Sequence, residues 1–184
     1  MSTGTGTGGD AVTLYTTTES PLGTVLLVGV ESATAPGGTA LVSLSVPGQK
    51  GAAVVRPDWR HGPGAFAEIE AQLRAYFAGT RTRFAIEWAE VAPGAAAPTA
   101  FQRRVWRALE EIPYGTTTTY GEIARRVGVS GAAVRAVGTA IGRNPLLVVR
   151  PCHRVIGADG ALRGYAGGLE RKECLLALEG ALGS

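Results

Sequence analysis

Cysteine and histidine are both scarce in this chain. Its 184 residues hold two cysteines, Cys152 and Cys174, and two histidines, His61 and His153. Two cysteines cannot form a disulfide framework, and their scarcity points to a reducing compartment. With only two histidines beside them, a four-ligand zinc site is not expected, and no metal or other cofactor is implied. Long apolar runs are missing as well. The longest, Val25 to Val30 and Leu146 to Val149, fall far short of the ~20 residues that a membrane-crossing helix needs. Met1 to Gly9 are rich in Ser, Thr and Gly, without the basic and apolar stretches of a signal peptide. A disordered tail over residues 1–10 and a soluble cytoplasmic protein with no membrane partner are therefore expected.

Apolar residues make up 45 % of the chain, enough for a real core in one domain or two small ones. The net charge of +3 hides an asymmetry. Residues 1–100 carry 6 basic and 8 acidic side chains, whereas residues 101–184 carry 12 and 7, nearly all the basic ones arginine. A basic half beside a slightly acidic half suggests an anionic partner for the C-terminal part. A solvated surface would look the same.

The first half reads as a small α+β unit. Leu22 to Val30 and Leu41 to Val46 are apolar, β-branched segments with a loose connection at 32–38. They predict a short antiparallel sheet. Phe66, Ile69, Leu73, Tyr76 and Phe77 recur at helical spacing, so a helix is predicted over Gly64 to Ala78, with Gly79 as its stop. Those aromatics read as core. The Pro- and Ala-rich stretch 91–98 marks a linker between an N-terminal domain, 11–90, and a C-terminal domain, 99–184.

The second half is mostly helical. Thr99 with Gln102 fits a capping box, and Phe101, Val105, Ala108 and Ile112 then share one face. Thr119 with Glu122 suggests a second box, opening a helix to Val127 that Gly128 ends. Ser130 is the candidate N-cap of a third helix, Gly131 to Ile141. Two short helices around a Gly-containing turn fit a helix-turn-helix, although many helical hairpins share that pattern. The third helix is built of small residues, among them Ala136 and Gly138, with Arg135 the long side chain on its central turns. Tight helix packing and close approach to a nucleic-acid backbone both fit.

The chemistry-bearing run is Pro151-Cys152-His153-Arg154-Val155, with an acid downstream at Glu179. A thiolate is the nucleophilic form of cysteine, and a neighbouring imidazole helps to produce it.

That run closely resembles the active-site signature of the O6-alkylguanine-DNA alkyltransferases, the methylated-DNA–protein-cysteine methyltransferase family. Phe101-Gln102-x-x-Val105-Trp106, Ile112-Pro113-Tyr114-Gly115, Tyr120-Gly121-Glu122-Ile123-Ala124, Arg135-Ala136-Val137-Gly138, Arg143-Asn144-Pro145, Gly164-Tyr165-Ala166-Gly167-Gly168 and Glu179-Gly180 extend the likeness in order across 99–180. The resemblance implies an RNase H-like α+β N-terminal domain and a mostly helical C-terminal domain with a helix-turn-helix. It implies a monomer that binds duplex DNA carrying alkylated bases, through the minor groove and with little sequence preference. O6-alkylguanine, and O4-alkylthymine with it, would be flipped out and the alkyl group moved once, irreversibly, to Cys152.

By the same resemblance, His153 takes the thiol proton through a water and Glu179 orients His153. Tyr120 protonates the leaving guanine at N3, and Asn144 ties the helix-turn-helix to the active-site loop. Arg135 fills the gap left by the flipped nucleotide, with Ser130, Ala136, Gly138 and Arg143 at the DNA surface. Tyr165, Ala166, Val155 and Leu147 form the substrate pocket. Ala166 stands where some members have Ser, and Leu147 where members that accept bulky adducts have Pro. A non-catalytic lesion-binding module and a cysteine hydrolase using Cys152, His153 and Glu179 are the alternatives.

Overall fold

The first strand of the protein went unmarked by apolar patterning. In the computed structural model, which describes residues 11–91 and 95–182, β1 spans Thr13–Ser20. The expected tail at 1–10 lies outside the described residues, as does the middle of the expected linker. β1 is threonine-rich, and β-branched threonines suit a pleated surface as well as apolar residues do.

β2, Gly23–Glu31, folds back on β1 through a two-residue turn. Ser20 Oγ accepts the Leu22 amide at 3.0 Å and donates to the Gly23 carbonyl at 2.8 Å. β3, Thr39–Ser45, pairs antiparallel with β2 across an irregularity at Val28/Gly29. Gly29 is required there, because a Cβ would stand 2.7 Å from the Thr39 methyl and 2.8 Å from the Ala40 carbonyl. β4, Arg60–His61, then pairs with β1 in parallel, giving the order β3-β2-β1-β4.

The sheet is therefore mixed, not purely antiparallel as expected. β3 already runs in the direction of β1, and the connection 46–59 crosses to the far edge before β4 begins. A 3-10 turn, Pro63–Phe66, leads into α1, Ala67–Phe77, which buries Ile69, Leu73 and Tyr76. Gly79, at φ 76°, ends it as predicted.

The C-terminal half holds α2 (Ala100–Glu110), α3 (Tyr120–Arg126), α4 (Val134–Gly142) and α5 (Leu169–Leu178). The predicted capping box of α2 is complete: Thr99 Oγ1 accepts the Gln102 amide, and Gln102 accepts the Thr99 amide. The second box is half formed. Thr119 Oγ1 accepts the Glu122 amide at 3.1 Å, but the Glu122 carboxylate turns to Arg125 and Arg126. Charge attraction outcompetes the neutral amide of Thr119 for it. Ser130 lies in extended conformation before a 3-10 turn, Gly131–Ala133, and makes no side-chain cap. The third helix accordingly starts at Val134, later than expected.

Two short parallel strands, β5 (Thr118–Thr119) and β6 (Val155–Ile156), join the start of α3 to the segment after Cys152. The Trp106 indole of α2 donates to the Ala140 carbonyl of α4 at 2.9 Å. The buried apolar side chains of both halves form one continuous cluster, from Leu14 to Leu175. Among the described residues no helix is long and apolar enough to cross a membrane.

Thr99→Ala removes one oxygen from the start of α2 and leaves its amide donor bare. A loss of about 1 kcal/mol is expected. Urea unfolding of the variant against the wild type measures it, and an unchanged midpoint would show that the cap contributes nothing.

Candidate active site

Cys152 sits at the end of a loop whose backbone is held by one amide side chain. Asn144, just past α4 and 2 % exposed, donates from Nδ2 to the carbonyls of Arg150 (3.0 Å) and Leu146 (3.4 Å). Its Oδ1 accepts the Leu146 amide at 3.0 Å. The loop is also stitched to the N-terminal sheet. The Leu44 amide of β3 donates to the Pro145 carbonyl, and the Leu147 amide donates back to Leu44. Leu147 is wholly buried.

Val148 adopts φ 71°, alone among non-glycine residues described, and Val149 donates to Leu147 two residues back. A β-branched residue at the centre of such a γ-turn is strained, at a cost of about 1–3 kcal/mol. Pro151 (φ −79°, ψ 60°) closes a second, relaxed γ-turn in which the Cys152 amide donates to the Arg150 carbonyl at 2.7 Å. Arg150 itself is clamped. Its guanidinium lies against the rings of Trp88 and Trp106, 5.5 and 4.9 Å from their centres, and pairs with Glu110 at 2.9 Å.

The Cys152 thiol is 3 % exposed, and burial pushes it up to about 11 despite the opposing pull of Asn144, Lys172 and Arg150. At neutral pH it is a thiol. His153 is fully buried, and burial lowers its basicity further than the Glu179 carboxylate restores it. The ring is therefore neutral. Its Nε2 lies 2.9 Å from Glu179 Oε1, which must accept, so the proton is on Nε2 and Nδ1 carries the lone pair. No side chain or backbone group bonds Nδ1.

Glu179, just past α5, gathers donors from three further segments. Tyr76 of α1 donates to Oε1 at 2.7 Å. Arg154 spans both oxygens, Nη2 to Oε1 and Nε to Oε2, each at 2.8 Å, and its Nη1 donates to the Ile112 carbonyl. The Gly115 amide reaches Oε2 at 3.4 Å. Burial alone would raise this carboxyl, but the bonds from His153, Arg154 and Tyr76 bring it down to about 2.

Across the site, Lys172 of α5 is fully buried. Its Nζ donates to the carbonyls of Val155 (2.5 Å), Arg163 (3.1 Å) and Gly164 (3.2 Å). Burial lowers it to about 8, so it stays largely charged at neutral pH. The Tyr120 hydroxyl donates to the Arg163 carbonyl, and burial, then the nearby Cys152, raise its pKa. It is therefore a neutral donor. Tyr165 also feels Cys152, and its buried hydroxyl has no protein partner. Its ring covers Gly167, where a Cβ would come within 2.8 Å of it. Ala166 is half-buried beside it.

The structure thus brings Cys152, His153, Glu179, Asn144, Tyr120, Tyr165 and Val155 together. Arg135, Ala136, Arg143 and Ser130 are exposed on the helix-turn-helix, with Gly138 half-buried. Among the described residues the Arg135 guanidinium has no hydrogen-bond or ionic partner. Sequence reasoning missed Tyr76, Arg154 and Lys172. A buried lysine on an otherwise amphipathic helix gives no periodic signal, whereas Arg154 lay within the recognised run without an assigned role.

Comparison with known proteins finds relatives of this chain. Residues 100–181 match the family described as "6-O-methylguanine DNA methyltransferase, DNA binding domain". A methylated-DNA–protein-cysteine methyltransferase of Mycolicibacterium paratuberculosis is 49 % identical over 165 residues, covering 90 % of this chain and 91 % of that protein. The protein of that name from Methanosarcina acetivorans is 48 % identical over 168 residues, covering 91 % and 98 %. The solved Mycobacterium tuberculosis O6-methylguanine methyltransferase superposes with a TM-score of 0.75 at 43 % identity, covering 94 % of this chain and 96 % of that one. A structure of Mycobacterium tuberculosis OGT in complex with DNA gives 0.75 at 45 % identity, covering 91 % and 93 %.

Glu179 leaves a pH signature. Its folded pKa lies below its ordinary value of 4.5, so its stabilisation is present above that value and is lost as pH falls towards about 2. Glu179→Gln should abolish this acid limb and, at neutral pH, cost about 3–5 kcal/mol by leaving Arg154 unpaired. Denaturation midpoints followed over that range test it, and parallel curves for the two proteins would refute the assignment.

Proposed function

Because the chain belongs to the methylated-DNA–protein-cysteine methyltransferase family and repairs DNA by moving an alkyl group to its own cysteine, we propose that Cys152 is the acceptor, driven by His153 and Glu179. The observation that carries this reading is the free Nδ1 lone pair of a neutral, buried His153 whose Nε2 proton is tied to Glu179. It sits one residue from a buried thiol. Side chains at adjacent positions meet badly in direct contact, and a single bridging water relays the proton instead.

In the reaction, Cys152 Sγ attacks the alkyl carbon of O6-alkylguanine. The S–C bond forms as the C–O6 bond breaks, and the thiol proton passes to His153 Nδ1. Tyr120 gives its proton to guanine N3, so the departing base leaves neutral. The imidazolium proton then makes good the loss from Tyr120, and the net transfer is one proton from thiol to guanine. The thioether is stable, so each molecule reacts once. Asn144 sets the loop, and the positive charge of Lys172 favours the sulfur as it becomes anionic.

The lesion base has to leave the stack to reach a thiol this deeply buried. Loop 163–168, in which Gly164 and Gly168 adopt positive φ, carries Tyr165 and Ala166. Tyr165 and Ala166 then cover the base. O4-alkylthymine fits the same chemistry. The protein acts as a monomer on the minor groove of duplex DNA, with little sequence preference, because Ala136 and Gly138 let α4 approach closely while Arg135 enters the gap. Ser130 and Arg143 contact the flanking backbone.

Two experiments test these assignments. Incubated with duplex DNA bearing O6-methylguanine, the wild type should gain one methyl group, mapped to Cys152 by intact mass and peptide analysis. Cys152→Ser should gain none yet bind DNA. Methyl on Cys174 would contradict the site, and repeated turnover by unmodified protein would point to a hydrolase. Arg135→Ala should slow reaction on duplex DNA at least tenfold and leave reaction with free alkylguanine base unchanged, since flipping costs a few kcal/mol that a free base never incurs. Equal loss on both substrates would exclude the gap-filling role.

A further inference from the structure

We propose that Tyr76, on the N-terminal α1, is a positioning residue for alkyl transfer: its hydroxyl fixes the Glu179 oxygen that orients His153. This deepens the reading of Cys152, His153 and Glu179 as the reacting set and rests on it. It also gives the N-terminal half a part in the chemistry.

The geometry is specific. Tyr76 Oη donates to Glu179 Oε1 at 2.7 Å, and that same oxygen receives His153 Nε2 at 2.9 Å and Arg154 Nη2 at 2.8 Å. Three donors converge on one oxygen, and one of them is the base itself. Tyr76 is 1 % exposed, so no solvent competes for its proton. Its ring is braced by Phe84 at 5.1 Å, Phe77 at 5.3 Å and Tyr114 at 6.2 Å, the last edge-on. Burial, then the carboxylate it serves, keep the phenol protonated far beyond any working pH. Tyr76 is thus a permanent donor. A buried tyrosine whose role was packing alone would need any acceptor, and a backbone carbonyl would do; this one takes the catalytic carboxylate, 103 residues away in sequence.

The groups facing Glu179 are Tyr76 from α1, the Tyr114 ring and Gly115 amide from the α2–β5 connection, and His153 and Arg154 from the active-site turn. Lys172 acts on His153 and Tyr165 on Glu179 across the site. Of the three side chains that hydrogen-bond Glu179, only Tyr76 can lose its polar atom without removing the base or a charge. With that hydroxyl gone, the carboxylate has one donor fewer and holds a proton on His153 more tightly. The imidazolium persists to higher pH, and the neutral base is available over a narrower range.

The test compares full-length wild type, Tyr76→Phe and Phe84→Leu, the last a control that loosens the same ring cluster without touching a polar atom. Each is reacted with a short duplex bearing O6-methylguanine across a pH series, alongside melting and affinity for the unmodified duplex. Tyr76→Phe should react roughly tenfold more slowly at neutral pH, the scale of a lost hydrogen bond to a charged group. The acid limb of its rate profile should move to higher pH, with affinity for unmodified DNA retained. Phe84→Leu should melt lower with its acid limb unmoved. An acid limb unmoved or lowered in Tyr76→Phe, or one moved equally in Phe84→Leu, would overturn the proposal. In either case wild-type transfer to Cys152 would leave the underlying reaction standing. No transfer by the wild type would overturn both.

Discussion

A buried carboxylate without partners would be far too costly to keep ionised, and Glu179 is buried and ionised. Everything around it follows from that constraint. Tyr76, His153, Arg154 and the Gly115 amide supply the donors, and Arg154 uses its remaining reach on the Ile112 carbonyl. These groups come from α1, from the end of α2 and its following turn, from the active-site turn and from the end of α5. None of the segments can move away without leaving a polar or charged group short of a partner in a dry interior, so a local electrostatic demand fixes the relation of four distant parts of the chain. The strained Val148 can persist because Asn144 on one side and Leu44 on the other determine the loop independently of its preference.

The same constraint sets the protonation states of this methyltransferase. Burial keeps Cys152 a thiol and His153 a neutral imidazole, so the resting protein holds no thiolate to be spent on solvent electrophiles or oxidants. Glu179 selects the tautomer that turns the lone pair of His153 towards its free side. Lys172 and Arg150 place positive charge where a sulfur anion would form. A thiolate–imidazolium pair is therefore not a standing feature of the resting protein.

Much of this was legible in the sequence, and the exceptions have physical causes. The Pro-Cys-His-Arg run and the Thr99 box were readable because both are local, and local spacing determines what they can do. The helix-turn-helix was readable for the same reason, though the start of its second helix was not, since nothing obliges Ser130 to cap. β1 was hidden because threonine serves the sheet without apolar periodicity. Tyr76 was read as core, and by burial it is; its hydroxyl matters through a partner 103 residues away that periodicity cannot see. Lys172 ought to lie in solvent by any pattern rule, yet three convergent carbonyls hold it inside.

The central claim is that Glu179 holds His153 as a neutral imidazole protonated on Nε2, leaving Nδ1 as the base. Nitrogen NMR of the full-length protein, with the His153 ring assigned by comparison with a His153→Gln variant, reads both points directly. The account predicts, at neutral pH, one protonated ring nitrogen identified as Nε2 and one bare nitrogen identified as Nδ1, with both becoming protonated only below the ordinary histidine range. An imidazolium at neutral pH, or a proton resident on Nδ1, would contradict it.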